Sequence, residues 1–358
     1  MPASLQWSAL SPGGRDATEF HYLEPGQPRG NEMKVHAFRV YEPGDASVLR
    51  WEEIDLPGPE RGEVLVRHTA VGFNMVDTYM RSGLYYRGAM PIGLGIEAAG
   101  VIEALGPGVA HVKVGDRVAY SGGPPGTYAE ARVIPAASAI KLPVWLDDRI
   151  AAAALTKGCT VEYLFTRTHK LKKGETILFH AAAGGVGLIA CQWARAIGAT
   201  VIGTVGTEEK ARLAKRNGCR YPIVYTARDW PGEVMKITKG AGVDVVYDSV
   251  GNDTWEGSLE CLKLRGLLVS FGSASGHPRP FDLAVEGIRK SIFVTRATTQ
   301  NYMTSPEAQH ASARALFRRL RDGTLKIRIG QSYALKDAPR VHEDAEARRT
   351  TGSTVMIP

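Results

Sequence analysis

Two hydrophobic periods divide the chain. From about residue 34 to 145, apolar and polar positions alternate over short runs, and Lys34–Tyr41, Glu63–Val71, Ala99–Leu105, Arg117–Tyr120 and Tyr128–Ile134 predict β-strands. Pro57-Gly58-Pro59, Gly106-Pro107-Gly108, Gly115-Asp116 and Gly122-Gly123-Pro124-Pro125 punctuate them as turns, so this half predicts a compact barrel. After Asp148 the period lengthens. Ile150–Thr168 predicts a helix capped by Asp147 or Asp148. Strands Thr176–Ala181, Thr200–Val205, Ile223–Tyr225, Val243–Val250 and Leu267–Phe271 then alternate with helices starting at Gly187 and Thr207, over Glu233–Thr238, and from Thr254. Apolar strands alternating with amphipathic helices predict an α/β fold with a parallel, doubly wound sheet. From about residue 299 come a basic helix, Ser305–Arg321, another near Asp337–Arg348, and a last strand, Ser353–Ile357.

Residues 1–32 follow neither period and are read as a mobile extension. Met33 stands just before the first strand and is the plainer start; a targeting arm is the alternative, but the segment is neither Arg-rich nor amphipathic. The 358 residues suit two domains, and 44% apolar with 23% charged residues exclude a wholly disordered chain. The net charge of +7 suits anionic ligands, but it is dispersed, with no basic stripe interleaved with aromatics, so nucleic acid is not expected as a partner. Cys159, Cys191, Cys219 and Cys261 show neither metal-ligand nor disulfide spacing, which predicts reduced thiols and a cytoplasmic protein. No apolar run is long enough to span a membrane, and no signal peptide is recognisable.

The strongest chemical signal is the run from Thr176 to Ala190, in which a buried strand enters the turn Ala182-Ala183-Gly184-Gly185-Val186-Gly187 and opens a helix. Backbone N–H groups and the helix dipole favour a pyrophosphate at such a start. Gly184 allows close approach of the phosphates and Gly187 close packing of helix on strand. A dinucleotide site selective for a free ribose carries an acid about 20 residues on. Here Gly203, Thr204, Val205 and Gly206 end the second strand and Lys210 follows, so NADPH with its 2′-phosphate is expected. Lys210 as a plain solvated helix residue is the other reading.

The segments Asn74–Tyr85, Gly93–Gly100, Lys113-Val-Gly-Asp-Arg-Val, His180-Ala-Ala-Ala-Gly-Gly-Val-Gly, Tyr247-Asp-Ser-Val-Gly and Val269-Ser-Phe-Gly resemble the medium-chain dehydrogenase/reductase superfamily, and within it the zinc-independent NADPH:quinone oxidoreductases that include zeta-crystallin. The likeness runs from Lys34 to Pro358. It implies a GroES-like catalytic domain over 33–158 completed by 299–358, and a Rossmann domain over 159–298. The zinc alcohol dehydrogenases of this superfamily have a cysteine where Asn74 stands and a histidine where Ile96 stands; an amide and an alkyl group supply neither thiolate nor imidazole, so no metal is expected.

The resemblance implies that Asn74, Met75, Val76, Asp77, Thr78 and Tyr79 lie along the cofactor, with Asn74 beside the nicotinamide, and that Thr160, Ala183, Gly184, Gly185, Val186 and Gly187 contact it. It adds the strand-end residues Val250, Phe271, Gly272, Ser273, Ala274, Ala297, Thr298 and Thr299, and gathers Gly206, Lys210, Tyr225 and Arg348 around the 2′-phosphate, Arg349 being the neighbour that could replace Arg348. Tyr79 and Tyr85 are candidates to line a substrate slot, stacking on a planar quinone and donating to its oxygen; ordinary packing is the other reading of each. Asn74 also reads as a turn residue, Asp77 as a solvated cap rather than a base, and His180 as a structural, hydrogen-bonded histidine. The implied reaction is hydride transfer from NADPH to a quinone. Reduction of an alkenal or enone on the same fold is the nearest alternative, and a nucleotide-binding structural or RNA-binding protein a third. A homodimer joined through the Rossmann edge strand Ser291–Arg296 is also implied.

Overall fold

The computed structural model describes residues 33–86 and 88–358; the proposed extension, 1–32, lies outside them. The N-terminal half contains β1 (Met33–Val40), β2 (Leu49–Leu56), β3 (Glu63–Gly72), α1 (Met75–Arg81), β4 (Ile92–Gly93), β5 (Glu97–Leu105), β6 (Arg117–Ser121), β7 (Ala131–Pro135) and β8 (Ile140–Lys141). Helix α2 (Asp148–Tyr163) leads out of it and runs on through a π-helical turn, Leu164–Thr168. The Rossmann half alternates β9 (Thr176–Phe179), α3 (Gly185–Ile197), β10 (Thr200–Val205), α4 (Glu208–Arg216), β11 (Tyr221–Val224), α5 (Trp230–Ile237), β12 (Val243–Asp248), α6 (Trp255–Glu260) and β13 (Leu262–Ser270). It ends with a short α7 (Ile288–Lys290) and β14 (Phe293–Arg296). The chain returns through α8 (Thr299–Tyr302), α9 (Pro306–Arg321), β15 (Ile329–Ala334), α10 (Ala338–Glu346) and β16 (Ser353–Ile357).

The Rossmann sheet is wholly parallel, in the order β11-β10-β9-β12-β13-β14, and its central strands are buried on both faces, which their unbroken Val, Ile and Leu runs require. The barrel sheet runs β15-β16-β3-β5-β6-β8, with β7 also on β3, and a smaller sheet, β2-β1-β4, covers it. Strand β16 pairs Val355 with Gly72, so the last residues of the chain close the barrel beside the start of α1. Helix α2 is the seam between the halves. Ala151, Ala152 and Ala154 share a core with Ala70 and Ala99 of the barrel and with Ile177 and Phe179 of the Rossmann sheet. Small residues let that helix lie close: a Cβ at Gly72 would collide with the Ala152 carbonyl oxygen.

Several boundaries differ from the sequence reading. The third Rossmann strand begins two residues early, at Tyr221; the strand expected from Val243 ends at Asp248, before Val250; and α3 begins at Gly185 rather than Gly187. The barrel strand expected from Tyr128 starts at Ala131, because the backbone at Tyr128 and Ala129 pairs instead with Leu94 and with Phe38 and Ala37 of β1. Strands β2 and β15 and helix α1 carry no sequence expectation at all. Among the described residues, no helix is long and apolar enough to cross a membrane, and all four cysteines are buried and free.

Candidate active site

The cleft lies at the carboxyl ends of the Rossmann strands, where β9 turns into α3 and where the loops after β12, β13 and β14 meet α1 of the barrel. Ala181 takes φ 53°, which swings the chain out of β9, and Gly184 caps α3 in an extended conformation with no side chain bonded to the helix's first N–H groups. A Cβ at Gly187 would lie 2.7 Å from Ala182, so only glycine lets α3 pack that closely on the strand end. The turn is braced from the far end of the chain: Gly352 N donates to the Ala183 carbonyl at 2.9 Å. Val186 follows Gly185 in the first turn of α3. His180, just before the turn, is fully buried and bonds the hydroxyls of Thr204 at 2.8 Å and Ser258 at 2.9 Å, a packing role.

At one end of the cleft the structure brings together four of the residues expected around a 2′-phosphate. Lys210 Nζ donates to the Arg348 carbonyl oxygen, Arg348 Nη1 donates to the Tyr225 hydroxyl at 2.8 Å, and Gly206 faces the same hydroxyl, where a Cβ would stand 3.3 Å away. Burial and then the Arg348 charge depress the Lys210 pKa. Arg349 points elsewhere, onto Asp344 at 2.7 Å, so Arg348 rather than its neighbour faces the group. Arg348 holds its place with φ 58°, a left-handed conformation that aims it back across the cleft.

At the other end Asn74 starts α1. Its backbone N–H donates to Asp77 Oδ2 at 2.9 Å, and its side chain donates to Glu97 Oε2 at 2.8 Å. Glu97 is fully buried; it also accepts from Thr156 N at 2.7 Å and from the buried Lys157 ammonium at 3.0 Å. Thr160 lies one turn further along α2, buried, its hydroxyl donating to the Thr156 carbonyl at 2.8 Å. Asp77 is not the solvated cap expected. It is fully buried; its Oδ2 accepts from Tyr128 at 3.0 Å, its Oδ1 has no hydrogen-bond partner among the described residues, and burial pushes it up to about 7. Tyr128 in turn meets His342 Nε2 at 3.1 Å, and burial pushes that imidazole down to about 3. Met75 and Thr78 fill the remaining face of α1, the Thr78 hydroxyl bonding back to Met75 O at 2.7 Å, with Val76 between them.

Tyr79 and Tyr85 form an aromatic wall. Their ring centroids are 4.9 Å apart; Tyr79 is buried, and Tyr85 is 38% exposed. His277 stacks on Tyr85 at 5.7 Å, and the Tyr85 hydroxyl donates to Ser273 at 3.0 Å. The strand-end residues close the cleft from the Rossmann side. Asp248 Oδ1 accepts from Val250 N at 2.7 Å, which holds that loop. Phe271, Gly272, Ser273 and Ala274 follow β13, where a Cβ at Gly272 would lie 2.5 Å from the Ser249 carbonyl oxygen. Ala297, Thr298 and Thr299 follow β14 into α8. Of the residues singled out from the sequence, Gly206, Lys210, Tyr225 and Arg348 meet at one place and Tyr79, Tyr85 and Ser273 at another, while Asn74, Asp77, Thr78 and Thr160 are buried. Glu97, Lys157, Arg296 and His277 were not among them, although Lys157 had a visible signal as the single charge in the small-residue run Ile150–Val161.

The side chains at the metal position of the zinc enzymes are a poor donor set. Asn74 is an amide already committed to Glu97, Ile96 is aliphatic, and the Lys157 ammonium occupies the carboxylate a cation would need. Among the described residues no group of three His, Cys, Asp or Glu side chains converges.

An open parallel sheet with a glycine turn, sharing its cleft with a barrel, is the architecture of a two-domain dinucleotide-dependent oxidoreductase. The family models agree: an alcohol dehydrogenase GroES-like domain matches residues 60–144, and a zinc-binding dehydrogenase domain matches 185–313. A quinone oxidoreductase of Pseudomonas aeruginosa is 48% identical over 88% of this chain and 97% of its own length. A 2-haloacrylate reductase of Burkholderia is 42% identical over 90% and 99%. The crystal structure of Escherichia coli quinone oxidoreductase complexed with NADPH superposes with a TM-score of 0.88 at 45% identity, covering 90% of this chain and all of the other. The chain belongs to the quinone oxidoreductase family of the medium-chain dehydrogenase/reductase superfamily.

Proposed function

We propose that the chain is an NADPH-dependent quinone reductase that works without a metal. One observation carries the reading: where a Lewis acid would stand, the structure has a buried Asn74–Glu97–Lys157 cluster, and the helix that Asn74 starts carries Tyr79, whose ring packs at a tilt against Tyr85 as an aromatic wall. An unactivated alcohol needs its oxygen polarised by a metal. A quinone is already electrophilic and needs orientation and a proton. Bound NADPH supplies the hydride from its nicotinamide C4. The chain's own residues do the rest. The uncapped N–H groups of α3 take the pyrophosphate, and Lys210, Tyr225 and Arg348 take the 2′-phosphate. Asn74 and Thr160 border the nicotinamide end, with Glu97 fixing the Asn74 amide. Tyr79 and Tyr85 hold the acceptor ring, and the hydroxyl of the part-exposed Tyr85 donates to a quinone oxygen by turning away from Ser273, its acceptor in the structure.

The relative active on 2-haloacrylate favours a second reading, an activated alkene as acceptor. A panel of 1,4-benzoquinone, naphthoquinones and 2-alkenals, each with NADPH and NADH, separates the two. Turnover of quinones with NADPH at rates well above alkenals is expected, and the reverse order would replace the first reading by the second. The assembly we propose is an isologous dimer joined along β14, the edge of the Rossmann sheet, where Phe293 is 61% and Val294 38% exposed. Buried free thiols fit a reducing compartment, for which we propose the cytoplasm.

A further inference from the structure

The mouth of the slot holds a cation that the reaction outlined above does not use. Arg296, the last residue of β14, reaches across from the Rossmann half to the barrel, its guanidinium carbon 5.8 Å above the Tyr85 ring. Nη1 is pinned by Ser270 Oγ at 2.7 Å and the Gly272 carbonyl at 2.8 Å. Nη2 donates to the Tyr85 hydroxyl and, at 3.3 Å, to Ser273 Oγ. Every one of these acceptors is neutral, and among the described residues no carboxylate pairs with Arg296. Other arginines that cross between elements are neutralised: Arg81 by Glu346, Arg117 by Asp148, Arg167 by Glu162 and Arg279 by Glu256 and Glu286. Arg296 is nevertheless exposed, as is His277 on the neighbouring side of Tyr85.

A guanidinium fixed at Nη1 by two neutral acceptors, with its charge uncompensated, is preorganised for an anion that takes over the contacts Nη2 now makes to the two hydroxyls, since the ordering cost is met by the fold. The hydroxyls of Tyr85 and Ser273 that now accept from Nη2 can rotate to become donors to the same anion. The aromatic groups around it, Tyr79, Tyr85 and His277, set the class of molecule. We propose that Arg296 forms an anion subsite at the lip of the slot, so that the acceptors this site takes best are planar rings carrying a carboxylate or sulfonate at their edge. The inference rests on the slot being the acceptor site.

The test compares 1,2-naphthoquinone-4-sulfonate with 1,2-naphthoquinone as acceptors of the full chain with NADPH, in wild type, Arg296→Gln and Arg296→Lys. It also titrates naphthalene-2-sulfonate, which cannot be reduced, as a binding probe. The wild type should favour the sulfonated quinone by about tenfold or more in kcat/KM, the ratio that ~1.4 kcal/mol produces. Arg296→Gln should abolish that preference while leaving the neutral quinone within about threefold, and Arg296→Lys should keep part of it. Equal losses on both quinones, or an unchanged preference in Arg296→Gln, would overturn the proposal. So would a rise in the KM for NADPH of the same size, which would make Arg296 a cofactor residue. If the wild type reduces neither quinone, the reductase reading fails, and the probe still decides the subsite: naphthalene-2-sulfonate binding lost in Arg296→Gln upholds it, and binding unchanged overturns it.

Discussion

Replacing Lys210 by Ala removes one of the two cations at the adenosine end of the cleft. Among the described residues its ammonium donates to the Arg348 carbonyl oxygen, and both burial and the Arg348 charge make its protonated form less comfortable than in water. A dianionic 2′-phosphate would relieve that. A hydrogen bond between charged groups contributes about 1.5–3 kcal/mol. Lys210 is half exposed, so solvent screening argues for the lower end, and ~1.4 kcal/mol already gives a tenfold effect. Lys210→Ala should therefore raise the KM for NADPH about tenfold, change kcat little, and leave kcat/KM for NADH within about twofold. The complementary change is Gly206→Asp. Val205 ends the strand but is buried in the core, whereas a side chain at 206 would point at the Tyr225 hydroxyl and set a carboxylate against the phosphate. Steady-state kinetics with both cofactors decide the matter. A wild type with no preference for NADPH, or a Lys210→Ala enzyme equally impaired with both, would show that this cluster is an ordinary surface contact.

Three further outcomes are expected. Exhaustive chelation should leave quinone turnover intact, because Lys157 already neutralises Glu97; activity lost on chelation and restored by zinc would contradict this. Sedimentation at micromolar concentration should show a dimer for the wild type and a monomer for Phe293→Asp, whose new charge faces the edge of β14; a monomeric wild type sinks the edge-strand proposal. The third concerns pH. Asp77 binds its proton more tightly when folded, with its pKa moved from 3.8 to about 7, so its contribution to stability is present at low pH and lost between about pH 4 and 7. Three units at ~1.4 kcal/mol each put the loss at no more than about 4 kcal/mol. Asp77→Asn should thus gain stability over wild type at pH 8 and not at pH 4 in urea unfolding, and an equal difference at both would refute the assignment. His342 works in the opposite direction, since its lowered pKa means that its stabilising neutral form is lost as pH falls from 6.5 toward 3.

What was legible in the sequence followed from periodicity. Strand β10 and strand β16 carry the bounds read from the sequence, because runs such as Thr200-Val-Ile-Gly-Thr-Val leave no other pattern open. Strand β2 escaped because Leu49-Arg-Trp-Glu-Glu-Ile-Asp-Leu puts charges on a half-exposed surface, where burial no longer forces alternation. In the site, the glycine turn and Lys210 belong to local strand–turn–helix motifs, whereas Tyr225 and Arg348 were assigned beside Lys210 only through the family resemblance. Asp77 was misjudged because a capping position looks the same whether water or Tyr128 lies beyond it. Glu97, Lys157 and Arg296 find their roles only when distant segments meet, and no local pattern encodes that meeting.

The return of β16 to the barrel has a consequence for how the protein is made. Gly72 is synthesised long before its partner Val355. The Rossmann strands lie entirely between them, so that half can assemble while the barrel sheet still lacks β16 and β15. Domains generally fold as units in the order they are synthesised. Here the half translated first is completed after the other, and it must wait with the Val71–Gly72 end of β3 lacking β16. The same final segment braces the glycine turn through Gly352, so the barrel's closing strand and the support of the phosphate loop arrive together. A nascent chain cut short before Gly352 lacks both at once.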